Sequence, residues 1–369
     1  MWTLTVDDLE SIAIGAGILG TGGGGNPYLG KLRLRRLLEQ GKQVHVLPLD
    51  ELPDTAWVTC VGGIGAPTVG IERFNRGDES VHALRTLESY SGKRIDALVS
   101  VEIGGGNSIE PMVAAAQTGL PVLDGDGMGR AFPEVQMTSY FMYGIPCTPA
   151  VLCDVKHQVA IFDQVTDPRS LERLARAVTI QMGGGAAFAM PVMSGEQVKR
   201  TAVPGTLSLT KAIGDAVRAA RARNQDPVAA ILKVTSGEII FRGKITDVER
   251  WTTKGFARGR LFVGGLDSYA GREMHIEFQN ENLIAYTHNE NGDEHVTVTV
   301  PDLICVVDSD TGEPITTELL RYGFRVTVLG IPCATLLRAP QALQYISPRA
   351  FGYEVDYRPM SRTPGVGLP

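Results

Sequence analysis

The segment from Val99 to Glu134 constrains the fold of this chain more than any other segment does. Two short apolar runs with strand character, Ala97–Val101 and Pro121–Leu123, are each followed by carboxylates set among glycines. A helix-like apolar segment, Glu110–Thr118, lies between the two runs. This order predicts a βαβ unit whose acidic side chains stand at the strand ends. Ligands of open α/β sheets bind beyond the carboxyl ends of the strands, so the segment predicts a binding site as well as a fold.

Strand-like and helix-like segments alternate as far as about residue 145, which predicts a mostly parallel sheet with helices packed on it. Residues 1–166 are therefore predicted to form an α/β domain with glycine-rich acidic site loops. Its further predicted elements are strands at Val44–Leu49 and Trp57–Val61 with a glycine loop from Gly62 to Pro67, helices at Glu79–Ser91 and Pro133–Tyr143, and a hairpin of Pro149–Asp154 and Gln158–Phe162.

Residues 167–369 are predicted to begin with a helical passage and to continue, over about residues 237–345, as a β-rich domain. Short alternating segments separated by turns are typical of an antiparallel sandwich or barrel, and the sequence does not choose between the two. The predicted strands are Ile239–Ile245, Gly259–Gly264, Arg272–Gln279, Leu283–Thr287, Val296–Val300, Leu303–Val307 and Tyr322–Leu329.

Charge and cysteine usage narrow the class of protein. The net charge is −6 and there is no block of basic residues, so we expect no nucleic-acid partner. The N-terminal segment lacks a basic leader region, and glycines interrupt its apolar stretch, so we expect neither a signal peptide nor a membrane span. Five cysteines in apolar surroundings predict free, mostly buried thiols in a reducing cytoplasm.

Glycine runs near the N-terminus resemble nucleotide-binding loops only superficially. The segment Gly15-Ala-Gly17-Ile-Leu-Gly20 matches G-x-G-x-x-G, but it lies within a predicted helix instead of between a strand and a helix. The dinucleotide-binding interpretation is therefore disfavoured. The following run, with Gly23 and Gly24, lacks the lysine of a phosphate-binding P-loop. It either holds a polar edge of a ligand with its backbone N–H groups or is a turn between helices.

Four carboxylates within the opening segment are the main candidates for chemistry: Glu102, Asp124, Asp126 and Glu134. Carboxylates held close together either share a proton, which makes an acid–base pair, or neutralise each other through a divalent cation. The alternative is that Asp124 and Asp126 only cap the helix that follows.

Five further polar or charged residues could bind a ligand beside those carboxylates. Arg130 could grip a carboxylate or carbonyl in bidentate fashion, or could neutralise the aspartates structurally. Asn107 could orient a polar ligand or cap a helix. Asn280, Glu281 and Asn282 interrupt an apolar strand, so they need many hydrogen bonds if buried. We expect them to line the face that opposes the N-terminal site.

Two segments contain residue types that bind metals. Cys147, Cys153 and His157 have the spacing C-x5-C-x3-H, which is not that of structural zinc sites, so they are a secondary candidate. The segment His288–His295 is also rich in ligand types. However, Asn291-Gly292 is a strong hairpin-turn signal, so a solvated hairpin tip is favoured there over a metal site.

Five motifs together resemble the bacterial family formerly named domain of unknown function 917, now called the S-methyl thiohydantoin desulfurase family. They extend from near residue 10 to near residue 357, so the resemblance covers nearly the whole chain. The motifs are Gly15–Gly25, Glu102–Asn107, Asp124–Glu134, Phe278–Leu283 and Pro348–Gly352.

This resemblance implies an enzyme of hydrolase type that uses water to convert an S-methyl thiohydantoin into a hydantoin and methanethiol, with a divalent metal, expected to be zinc. Glu102 and Asp126 would be metal ligands or the water-activating base, with Asp124 as a further ligand. Glu134 would be the second acid or base, and Arg130 and Asn107 would hold polar groups of the ring. Zinc bound through thiolate or imidazole would instead use Cys147, Cys153 or His157.

The resemblance also implies partners and alternatives. The family often accompanies hydantoinase/oxoprolinase-like proteins, so such a protein is an expected partner, and we expect a homo-oligomer. The alternative functions are a non-catalytic accessory subunit of a hydantoinase-type system and a nucleotide-binding enzyme that uses the glycine loops.

Overall fold

The structure, a computed structural model, describes residues 1–65, 69, 75–253, 256–289, 291–361 and 366–369. Ala66 and Pro67 of the predicted glycine loop, and Glu290 of the ligand-rich segment, lie outside the described residues. The chain forms two compact units. Unit one comprises Met1–Leu9, Gly25–Met128 and Glu134–Leu207, and unit two comprises Glu10–Gly24, Gly129–Pro133 and Ser208–Pro369.

The sheet of unit one has a parallel centre with antiparallel strands on both sides. Its strands follow the order β1-β2-β5-β4-β3-β8-β6-β7, and β9 pairs with β5. The neighbours β2/β5, β5/β4 and β4/β3 are parallel. These strands are β1 Trp2–Thr3, β2 His45–Pro48, β3 Trp57–Gly65, β4 Ala97–Ser100, β5 Val122–Asp126, β6 Ala150–Cys153, β7 Val159–Phe162, β8 Gly185–Ser194 and β9 Val203–Pro204.

The described helices are divided between the two units. The described helices are α1 Asp8–Leu19, α2 Tyr28–Glu39, α3 Glu79–Ser91, α4 Glu110–Thr118, α5 Ser139–Met142, α6 Pro168–Gln181, α7 Gly195–Thr201, α8 Thr206–Ala222, α9 Pro227–Thr235 and α10 Pro340–Ile346. The predicted βαβ unit is confirmed, because α4 connects the parallel neighbours β4 and β5. Gly119 ends α4 in the left-handed region, where glycine is unstrained.

The structure differs from the predicted elements at three places in unit one. Strand β3 continues to Gly65, so Gly62–Gly65 is a strand paired with β8 and not a loop. A methyl group at Gly62 would lie 2.7 Å from the Phe188 ring, so glycine permits this close pairing. Strand β5 extends through Asp126, and Pro133–Tyr143 is not one helix but a short 3₁₀ turn followed by α5.

Unit two contains one seven-stranded antiparallel sheet of order β14-β13-β12-β11-β10-β16-β15. The predicted C-terminal antiparallel β-rich architecture is thus confirmed, and each of the seven predicted segments overlaps one strand. The strands are β10 Glu238–Thr253, β11 Phe256–Gly265, β12 Glu273–Gln279, β13 Glu281–His288, β14 Glu294–Thr299, β15 Leu303–Asp308 and β16 Arg325–Ile331. Their inward side chains, such as Phe241, Ile276 and Val328, form an apolar core.

The G-x-G-x-x-G segment lies in α1, as the sequence predicts, and its glycines serve close packing. A methyl group at Gly15 would lie 1.9 Å from the carbonyl oxygen of Thr210 in α8, and one at Gly214 would lie 1.9 Å from that of Ser11. The two helices therefore approach each other at positions where each has a glycine. This packing accounts for the motif without a nucleotide.

Two further expectations concern cysteines and membranes. All five cysteines are free and buried, as predicted. Among the described residues, no helix combines the length and the apolar character that a membrane crossing requires.

Candidate functional site

Glu102 and Asn107 form a hydrogen-bonded pair just beyond the carboxyl end of β4. Asn107 Nδ2 donates to Glu102 Oε1 at 2.7 Å. Asn107 also bonds both backbone groups of Gly63, with its Oδ1 2.8 Å from the Gly63 nitrogen and its Nδ2 3.2 Å from the Gly63 oxygen. The amide is held by the end of β3 and in turn fixes the carboxylate, which is only 5% exposed. Between the two residues, Gly105 has φ 62°, a backbone geometry that favours glycine.

Asp126 ends the neighbouring strand and connects to the same loop. Its Oδ2 accepts from the backbone N–H of Ile103 and of Met128, each at 2.9 Å, and the residue is fully buried. Ile103 directly follows Glu102, so Asp126 helps to place the Glu102 backbone. Burial raises the pKa values of Tyr140 and Cys60, and the charge of Asp126 raises them further.

Asp124 lies two residues before Asp126 on β5 and has different hydrogen-bond partners. Its Oδ1 accepts from the Leu207 N–H in the first turn of α8 at 3.0 Å, and its backbone oxygen accepts from Gly205 N at 2.9 Å. A carboxylate that accepts from the first turn of a helix stabilises that helix end. The capping alternative therefore describes Asp124, although the capped residue Leu207 lies 83 residues after Asp124 and not in the helix that follows it directly.

Glu134 is part of another group of charged side chains in unit one. Its Oε2 accepts a short hydrogen bond from Gln136 Nε2. Nearby Glu172 accepts from the Val135 N–H at 3.1 Å. Burial raises the pKa of Glu172, and the charge of Glu134 adds to that shift. Glu134 and Glu172 are therefore neighbours in unit one.

Arg130 lies in unit two and is fully buried. Each of its five N–H groups can be matched to an acceptor. The acceptors are the backbone oxygens of Ala131 (3.0 Å), Pro301 (3.4 Å), Asp302 (2.9 Å) and Asn282 (2.9 Å) and the hydroxyl of Thr21 (2.8 Å). Burial lowers the pKa of Arg130 to about 10. The guanidinium thus joins separate backbone segments, which is the geometry of a structural tie instead of a ligand clamp.

The glycine run after α1 and the segment Asn280–Asn282 lie together in unit two. Gly24 N donates to Glu281 Oε1 at 3.2 Å, and a methyl group at Gly23 would lie 2.1 Å from that oxygen. Asn282 N donates to the Thr21 oxygen at 2.8 Å. Asn280 is the turn residue between β12 and β13, with φ 58°. The polar segment therefore supports the glycine loop.

The three carboxylates predicted as metal ligands have different hydrogen-bond partners. Glu102 accepts from an amide, Asp124 from a helix N-terminus and Asp126 from two strand-end amides. Within the described ranges, one group of three side chains has ligand atoms that all lie within 4.8 Å of one another, namely His275, His288 and Glu294.

The secondary metal candidates are not gathered either. His157 bonds Asp78 at 2.9 Å and stacks on His82, with ring centroids 3.9 Å apart. Burial raises the pKa of Cys147 and raises that of Cys153 to about 11, which disfavours the thiolate form that zinc binds.

Sequence reasoning missed a buried acid in unit two. Asp302 is fully buried and accepts from Arg338 at 2.9 Å, from the Tyr357 hydroxyl at 3.1 Å, and from the backbone N–H groups of Cys333 and Met360, each at 2.8 Å. Its partners lie 31 to 58 residues away in the chain, so no local pattern indicates it. The structure also has a surface cavity of about 770 Å³ in unit one beside Trp57, Lys93 and Arg200, and no predicted site residue lines its described wall.

Comparisons with known proteins gave three findings. Residues 7–164 match the family description "S-Me-THD-like, N-terminal domain", and residues 166–360 match "S-Me-THD-like, C-terminal domain". A crystal structure of a protein from Chromobacterium violaceum is similar, with a TM-score of 0.80 and 25% sequence identity, over 97% of this chain and 100% of that one. The comparison with curated proteins gave no match.

Proposed function

Because the chain belongs to the S-Me-THD-like family, which matches both of its parts, we propose that it is a hydrolase-type enzyme that desulfurises an S-methyl thiohydantoin. The observation that carries the proposal is the pair Glu102–Asn107. A buried carboxylate is oriented there by an amide, beyond the end of a central parallel strand and beside a glycine run. That is where ligands of open α/β sheets bind.

The proposed reaction needs one water and no redox partner. Water adds to the ring carbon that bears the S-methyl group, and the C–S bond then breaks. One water proton ends on the ring nitrogen and the other on the leaving sulfur, so the products are a hydantoin and methanethiol. The reaction therefore requires a base for the attacking water and an acid for the leaving group.

Glu102 is the proposed base. Its Oε1 accepts from Asn107, which aims the carboxylate, while the flanking glycines allow a planar ring to approach the backbone. Asn107 and Asp126 are positioning residues in this proposal. Asn107 joins Glu102 to Gly63, and Asp126 bonds the N–H of Ile103, the residue after the base.

Glu134 remains the proposed proton donor. Its carboxylate accepts a hydrogen bond from Gln136 and lies near the buried carboxylate of Glu172. We give Arg130 no part in holding the ring, because its N–H groups bond the protein itself. No step is assigned to a metal bound by Glu102, Asp124 and Asp126, since these do not form a ligand group.

The test is release of methanethiol from a synthetic S-methyl thiohydantoin, followed with a thiol reagent. Hydantoin formed in ¹⁸O-labelled water is identified by mass spectrometry. We expect Glu102→Gln to lower kcat by about 100- to 10,000-fold, the usual contribution of a general base. Glu134→Gln is measured in the same assay.

The matched control is Glu39→Gln, which removes an exposed carboxylate of α2 that pairs with Arg35. It should leave turnover unchanged, because exposed pairs contribute little. Wild-type turnover in Glu102→Gln would remove Glu102 from the mechanism. Absence of methanethiol from the wild-type protein with a series of ring substituents would overturn the proposed activity.

A further inference from the structure

Three potential metal ligands converge on one face of the sheet in unit two. His275 lies on β12, His288 ends β13 and Glu294 begins β14. In the strand register, His288 is opposite Glu294, and His275 is opposite Tyr286, two residues before His288. Residues that are opposite or diagonal on adjacent strands share a face. The three side chains therefore meet because of the register and not through sequence proximity.

One ligand atom from each of the three side chains lies within 4.8 Å of the other two. His288 Nε2 lies 3.6 Å from Glu294 Oε2, and His275 Nε2 lies 3.9 Å from the same oxygen. The other ring nitrogen of His275, Nδ1, lies 2.9 Å from His288 Nε2, and His275 can bind one ion through only one of its two nitrogens. Ligands about 2.0–2.1 Å from a zinc ion in tetrahedral geometry are about 3.3 Å apart, and the two separations to Glu294 are close to that value.

The surroundings hold the His275 ring in place. The Tyr286 ring stacks on His275, with centroids 4.5 Å apart and planes 13° from parallel, and Phe262 lies 6.0 Å away. Arg260, the nearby cation, is paired with Glu277 at 3.0 Å.

We propose that His275, His288 and Glu294 bind a divalent transition-metal ion of the zinc class and leave a coordination position open to solvent. Two imidazoles and one carboxylate are a ligand set that zinc adopts when water occupies the fourth position. Glu294 is half exposed and His288 is partly exposed, so water can reach the ion. Strands β13 and β14 are joined by a short connection in which Gly292 N donates to the Asn289 oxygen at 2.9 Å, and His288 and Glu294 are the strand residues on either side of it. This site is independent of the proposed turnover at Glu102.

The experiment measures metal binding to the full chain without any substrate. The protein is treated with a chelator, dialysed, and titrated with zinc in a calorimeter. A parallel titration with cobalt(II) reports coordination through its visible absorption bands. The variants are His275→Ala, His288→Ala and Glu294→Gln, and circular dichroism confirms that each is folded. His295→Ala is the control, because His295 is an exposed histidine beside Glu294 that pairs with Thr287 instead of joining the cluster.

We expect the wild-type protein and His295→Ala to bind one zinc ion per chain with equal affinity. Each ligand variant should bind at least about tenfold more weakly, since even partners outside the coordination sphere change affinity by about 10–100-fold. The proposal is overturned if the wild-type protein binds no zinc at micromolar concentrations. It is also overturned if the three variants bind zinc as the wild-type protein does. The experiment measures zinc binding and not turnover. If the proposed release of methanethiol were wrong, neither of these two binding results would follow from that.

Discussion

Replacement of Arg130 by methionine distinguishes a structural tie from a substrate clamp. Methionine retains the length of the apolar stem but removes the guanidinium. The four backbone oxygens and the Thr21 hydroxyl would then lose their donor inside unit two. The contact between the guanidinium and the Phe132 ring, at 4.7 Å, would also be lost.

The expected loss of unfolding free energy in Arg130→Met combines two effects, the loss of hydrogen bonds and the removal of a buried charge. A buried acceptor left without a donor costs about 1–3 kcal/mol, so five acceptors set an upper limit far above the expected effect. Removing the charge also removes the cost of burying it, the same burial that lowers the Arg130 pKa. Loss of one member of a buried charged network costs about 3–5 kcal/mol. We therefore expect Arg130→Met to destabilise the protein by about 4 kcal/mol, which corresponds to a decrease in Tm of about 8–16 °C for a unit of this size.

The assay is thermal unfolding by circular dichroism, with Arg35→Met as the control because that arginine is more than half exposed on α2. The control should unfold within about 2 °C of the wild-type protein, as surface substitutions usually do. KM for the S-methyl thiohydantoin should be unchanged in Arg130→Met below its unfolding temperature. A variant with normal Tm and a strongly raised KM would refute the structural role and restore the sequence-based prediction that Arg130 holds the ring.

Two further predictions concern packing and pH. Gly15→Ala should destabilise the protein by about 1–3 kcal/mol, because its methyl group would lie 1.9 Å from the Thr210 oxygen. The control in chemical denaturation is Gly63→Ala, whose methyl group would meet nothing closer than 3.7 Å. Equal stability of the two variants would contradict the packing argument. The His157 hydrogen bond lowers the pKa of Asp78, so the stability that Asp78 contributes is present above the ordinary aspartate pKa of about 3.9 and is lost as pH falls through the lowered value. Asp78→Asn should make Tm vary less with pH across that acidic range, whereas an unchanged dependence would show that the pair contributes nothing.

Local patterns were sufficient for much of the architecture. The apolar segments Asp8–Leu19 and Glu110–Thr118 form helices, as the sequence predicts. Asn291-Gly292 lies in the connection between β13 and β14, where its turn-forming residue types predict a turn. Glycines were less predictable: the run from Gly62 to Gly65 reads as a loop, yet it is a strand because Phe188 on β8 fills the space that side chains would occupy.

What only the tertiary structure decided is which partner each polar residue has. The sequence by itself identified Glu102, Asp126 and Arg130 as unusual, because charges beside apolar strands must find partners when they are buried. It could not indicate that Arg130 bonds residues more than 150 positions away, while Glu102 bonds an amide five positions away. His275 joins His288 and Glu294 through strand register, which depends on the packing of a whole sheet face. Carboxylates that a sequence places together can therefore have separate partners, and histidines that it separates can share a site.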